Sequence, residues 1–124
     1  MENLNFLYLL MRVFCLFLFK EIRDGEVTRD DLEGLSKDVG TSWKALARRF
    51  NFSEGEIDGF DHVCKELRDK CYGMLCAWKR REGSKATYNV VYKALCHKYV
   101  ECNGLAEKYC IRESADKEES TSEG

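Results

Sequence analysis

The sequence predicts an all-α bundle of short helices, and three observations predict it. No proline occurs in 124 residues, so nothing removes a backbone donor from a helical ladder. Beyond residue 28, apolar residues recur at i, i+3, i+4 and i+7. Cap residues and glycines fall at the ends of those runs, with only a few residues between one run and the next. A chain of this length is one domain with a short segment at either end, and 44% hydrophobic against 34% charged residues suits a folded core under a highly charged surface.

The first helix opens at Thr28, which pairs with Asp31 as a weak cap, carries Leu32, Leu35 and Val39 inward, and stops at Gly40. Thr41 or Ser42 is expected to cap the second, whose stripe is Trp43, Leu46, Ala47 and Phe50. The third has the strongest local signal: Ser53 and Glu56 form a capping box, and Phe52 staples onto Ile57, with Phe60 also inward. After a link near His62–Lys65, residues 66–82 make the longest helix, with Leu67, Cys71, Met74, Leu75 and Trp78 on one face and Gly83 beyond its basic end. Thr87 opens a fifth helix with Tyr88, Val91 and Leu95 inward. Asn103 caps a sixth, on which Leu105, Ala106 and Tyr109 face the core. Six short helices with short links form an all-α bundle.

The ends differ from this pattern. Residues 4–19, "LNFLYLLMRVFCLFLF", are nearly all apolar but broken by Asn5 and Arg12. A membrane span wants ~20 mostly apolar residues, and a mid-span Arg costs several kcal/mol. "VFCLFLF" has the length of a signal-peptide core, yet no A-x-A-like site follows and Glu2 has the wrong sign. The expectation for 1–27 is an apolar helical segment that packs against protein, with membrane association possible only through 4–19. Residues 112–124 are polar, acidic and aperiodic, and are expected to form a disordered tail.

Charge and chemistry exclude more than they select. The net charge is −2, with zero in residues 1–29, −3 in 112–124 and +1 between, which gives no case for nucleic acid as main partner. Seven cysteines include no C-x2-C pair, and an odd count excludes complete internal pairing. Free cysteines acting as small core hydrophobes fit best and place the chain in a reducing cytoplasm, with a metal site and disulfides as alternatives. Trp43 and Trp78 are in phase with aliphatic residues and read as core. His62 and His97 have no nucleophile or acid at helical spacing, and Ser42, Ser53 and Ser84 sit where caps and turns belong. No catalytic residue, metal or cofactor is indicated.

Three stretches in order, "DVGTSWKALARRFNFSEGEIDGF", "MLCAWKRREGSKATYNVVYKAL" and "LAEKYC", resemble the death domain family over residues 28–111. The Gly-x-x-W-x-x-L-A, S-x-x-x-I-D and M-L-x-x-W patterns are similar to that family's helices 2, 3 and 4. Within the family, the chain looks most similar to the Fas-associated (FADD-type) adaptor. It lacks the proline many relatives carry after helix 3. The resemblance implies a six-helix antiparallel Greek-key bundle without catalysis, which binds other death domains and self-associates in receptor-proximal apoptosis or innate-immune signalling. It also implies a binding face on helices 2 and 3.

On that face Lys44 and Arg48 are i, i+4 neighbours with Arg49 beside them, while Glu54, Asp58 and Asp61 line the outer side of helix 3. The expectation is that the cations meet carboxylates of a partner death domain and the acids meet its basic residues. Arg68 with Lys79, Arg80 and Arg81 forms a second cationic surface. The simpler reading of all these charges is a solvated helix face. Two other roles remain open: a regulator without an effector module, which occupies receptor tails, and a membrane-tethered receptor tail.

Overall fold

The computed structural model describes residues 21–112, so the expectations for the apolar segment 4–19 and for the tail beyond Arg112 lie outside the described residues. Two compact units divide the chain. In the smaller one, the described residues form a two-stranded antiparallel ribbon, β1 (Glu21–Ile22) and β2 (Ile111–Arg112), with Glu21 opposite Arg112 and Ile22 opposite Ile111.

The larger unit, Arg23–Cys110, is mostly helical. Its helices are α1 (Arg29–Val39), α2 (Trp43–Arg49), α3 (Glu54–Val63), α4 (Leu67–Glu82), α5 (Tyr88–Leu95) and α6 (Asn103–Cys110). Short 3-10 turns, Gly40–Ser42 and Gly83–Lys85, lead into α2 and follow α4. Thr28, Ser53 and Thr87 cap α1, α3 and α5 through their side chains, as the sequence predicts. Ser42 makes no such bond. The chain enters α2 through a 3-10 turn in which the Trp43 N–H donates to the Gly40 carbonyl. Asn103 likewise stands as the first residue of α6 rather than its cap.

The core is built where the periodicity places it. Leu32, Leu35, Trp43, Leu46, Ala47, Ile57, Cys71, Met74, Leu75, Trp78, Val91 and Leu95 are fully or almost fully enclosed. Helix α4 runs through the middle: α1 packs on it most extensively, and α2 and α3 also rest against it. Phe50 stacks on Trp78 at 4.3 Å and 13°, so the end of α2 is pinned to α4. Truncating one of the enclosed leucines to Ala would cost about 2–5 kcal/mol. Helices α5 and α6 form a second tightly packed pair. Among them, Leu105 and Tyr109 are only half-buried.

Four positions depart from the apolar pattern: Phe60, Leu105 and Tyr109 are half-buried and Leu67 is exposed. Leu67 is 39% exposed because it opens α4, a turn before the helix reaches the core at Cys71. Tyr109 sends its hydroxyl outward to donate to Asp38 at 2.7 Å. Its ring lies so close to α1 that a Cβ at Gly34 would sit 2.9 Å from the phenol oxygen, and this contact explains a glycine in mid-helix.

The unit begins five residues before the boundary that the sequence suggests. Val27 is buried and donates to the Ala86 carbonyl, and the Arg23 N–H donates to Cys110. Arg23 Nη1 donates to Asp31 Oδ2 and to the Tyr109 carbonyl, each at 3.0 Å, and its guanidinium lies 4.2 Å over the Tyr88 ring. The Tyr88 hydroxyl donates to the same Asp31 oxygen at 2.6 Å. This latch ties the leading segment to α1, α5 and α6. Nothing in helical spacing announces it, since its members are up to 86 positions apart.

Candidate protein-interaction face

The face on α2 and α3 starts from the corner that joins them. Helix α2 ends in a Schellman motif: Phe52 N–H donates to the Ala47 carbonyl at 3.2 Å and Asn51 N–H to the Arg48 carbonyl at 3.1 Å. Asn51 takes φ 68°, the left-handed conformation that Asn tolerates better than most residues. Two residues later Ser53 accepts from Glu56 N–H at 3.2 Å, and the Glu56 carboxylate accepts from Ser53 N–H at 2.8 Å. Phe52 therefore closes one helix and opens the next. It is buried edge-on against Phe60 at 5.2 Å, and the Arg81 guanidinium covers its ring at 4.6 Å.

The charges on this corner answer one another. Lys44 lies 2.9 Å from Asp61 Oδ2, and Lys70 of α4 binds the other oxygen of that carboxylate and, at 2.8 Å, the Asp61 carbonyl. Hydrogen bonds from Lys70 and then Lys44 hold the Asp61 carboxyl down to about 2. Arg48 grips Glu54 with two bonds, Nε at 2.7 Å and Nη2 at 3.2 Å, which lowers the Glu54 carboxyl and raises the guanidinium. The pair is open to solvent, with side chains 44% and 67% exposed. Asp58 is exposed and forms no ion pair among the described residues; its carbonyl lies 3.0 Å from His62 Nδ1.

The other expected site residues go elsewhere. Arg49 does not flank Lys44 and Arg48, because one residue along a helix turns about 100°. It reaches the α5–α6 loop, where Nη1 stands 2.9 Å from His97 Nε2. Arg68 lines an open cleft of about 400 Å³ with Asp30, Glu33, Gly34 and Lys37. Lys79 lies 3.5 Å from Glu26. Arg81 binds Glu82 at 2.9 Å and donates to the Phe50 carbonyl, so it holds the fold together. Arg80 is exposed and forms no ion pair among the described residues. The basic run is thus three side chains with three different tasks.

Six described cysteines are free thiols. Burial pushes Cys71 and Cys110 up to about 12, which makes both poor nucleophiles. No cluster of His, Cys, Asp and Glu able to hold a metal is found among the described residues, and no helix among them is long and apolar enough to cross a membrane. The face can exchange ion pairs; its residues include no nucleophile set beside a base.

Residues 29–108 match the family model described as Death domain, and the chain belongs to the death domain family. Death domains are interaction modules rather than catalysts and bind other death-domain proteins. Among curated proteins, the chain is 36% identical over 72 residues to human receptor-interacting serine/threonine-protein kinase 1, covering 56% of this chain and 11% of that one. It is 29% identical over 73 residues to human THO complex subunit 1, and 26% over 73 residues to the mouse protein, each covering 59% of this chain and 11% of the relative. The chain spans about a tenth of the length of these relatives.

Proposed function

We propose that this chain is a cytoplasmic death-domain adaptor of the FADD-like kind, with its six helices in the Greek-key order of that family. It binds death domains of receptors or other adaptors, and further copies of itself, to assemble a receptor-proximal apoptotic or innate-immune complex. The observation that carries the reading is the exchangeable charge on α2 and α3. Lys44–Asp61 and Arg48–Glu54 are solvent-open pairs, and Asp58 stands beside them without one. Exposed pairs contribute little to stability, so the face can trade internal partners for external ones at small cost.

Charge complementarity of this kind sets encounter rate and register more than affinity. Strength then comes from many subunits engaging together. A patch that binds a different patch on its neighbour makes heterologous contacts, which propagate along a helical assembly. Arg80 and Arg68 supply cations for a second surface.

The test uses Asp58→Lys and Arg48→Glu, separately, against a panel of death domains that includes the one in the receptor-interacting kinase relative. Asp58 is the cleaner probe, since its reversal breaks no ion pair among the described residues. Both variants should keep helical content and melting behaviour while losing partner capture and oligomer mass by light scattering. Unaltered capture and mass in both would remove this face from the mechanism.

A further inference from the structure

The α2–α5 corner, where Arg49 ends, holds more hydrogen-bond donors than acceptors. His97 Nε2 faces Arg49 Nη1 at 2.9 Å, while His97 Nδ1 faces the Tyr99 backbone N–H at 3.1 Å. A neutral imidazole accepts at one nitrogen only, so either tautomer leaves an N–H pointed at another donor. Arg49 Nε is enclosed and has no hydrogen-bond partner. Tyr99 stands 67% exposed between two cations, with Arg49 at 5.7 Å and Lys98 Nζ at 5.2 Å from its ring. Among the described residues no carboxylate forms an ion pair with Arg49 or Lys98, in contrast to Lys44, Arg48 and Arg23.

We infer that Arg49, His97, Lys98 and Tyr99 form a recognition site for a carboxylate carried on an acidic segment of a partner protein. The missing element is an acceptor, and a carboxylate matches the planar fork of a guanidinium better than any neutral group. The exposed ring supplies apolar contact next to the charge, the composition of an interface hot spot. A bound carboxylate gives Arg49 a true acceptor and frees His97 to settle on one tautomer. It also offsets the positive field on the imidazole. Desolvation, then Arg49 and Lys98, hold His97 below its usual value, so an anion at the corner raises it, and binding in turn tightens as pH falls through that range. The site lies off the α2–α3 pairs and stands whether or not those pairs are the docking surface.

The experiment follows the imidazole and phenol signals of His97 and Tyr99 by NMR in the full chain. A capped tetraglutamate peptide is titrated at fixed ionic strength, with acetate, inorganic phosphate and sodium chloride run in parallel. His62 on α3 serves as the internal reference. The peptide should shift His97 and Tyr99 saturably at concentrations about tenfold below acetate, and raise the His97 protonation midpoint while His62 stays still. Arg49→Gln should weaken the peptide about tenfold, and Arg49→Lys should recover only part of it. Lys98→Gln, at an exposed position, should also weaken binding with no effect on folding. Signals that follow ionic strength alone, phosphate binding tighter than the peptide, acetate equal to it, or full binding by both Gln variants would each overturn the assignment.

Discussion

Two carboxylates in this molecule have nearly the same chemistry and different second donors. Asp31 accepts from the Arg23 guanidinium and the Tyr88 hydroxyl; Asp61 accepts from Lys44 and Lys70. Each is shared by two donors from two elements. Around Asp31, Tyr88 is 3% exposed and has little water to turn to, while Arg23, which lies over its ring, is 39% exposed. Around Asp61, Lys44 is 40% exposed and can exchange its partner for solvent or another protein. The two ion pairs are alike in exposure, so the enclosed Tyr88 hydroxyl, rather than either cation, is what sets Asp31 apart from Asp61.

The strongest way to break this comparison is Asp31→Ala. It leaves Arg23 and the Tyr88 hydroxyl without their shared acceptor, and urea denaturation should show a loss of about 2 kcal/mol. Tyr88→Phe removes one of the two donors and keeps the ring beneath Arg23, so the loss should be about 1 kcal/mol. A cost for Asp31→Ala no greater than that of an exposed pair would erase the distinction.

Acid titration sharpens the other side. The Asp61 carboxyl is held below its ordinary 3.8, at about 2, so its stabilising effect is complete above about pH 5 and is lost as pH falls from there through 2. Asp61→Asn should flatten the stability–pH curve across that window and leave it unchanged near neutrality in slope. The smallest expected effect is Arg48→Ala. With Arg48 and Glu54 both open to water, its melting temperature should stay within about 2 °C of the parent, while partner capture falls.

Reading the chain predicted the apolar side of the bundle well, because burial in short helices imposes a period that survives in sequence. Trp43, Leu46, Ile57, Met74 and Trp78 are core for that reason, and the box at Ser53 and Glu56 is a local bond between neighbours. What stayed hidden depends on long-range pairing. The Arg23–Asp31–Tyr88 latch joins residues far apart in sequence, and no spacing rule connects them. The face was legible as two sets of opposite charge, but not that those sets hold each other. Arg49 shows a further limit: adjacency to Arg48 in sequence placed it on one face, and helical rotation carried it to another. Asn51 is a faint signal, since asparagine sometimes stops a helix in the left-handed conformation, but Phe52 fits the start of α3 equally well.

That double use of Phe52 fixes the corner. Only three residues, from Asn51 to Ser53, separate the Phe50 cap of α2 from the start of α3, and their backbone N–H groups are all bonded. The angle between the cationic and anionic helices is therefore set before any encounter, and the two halves of the face meet an incoming surface together. Under the proposed role, a partner that fits would find its counter-charges in place and give up little ordering entropy; one that does not fit would have no loop to remould.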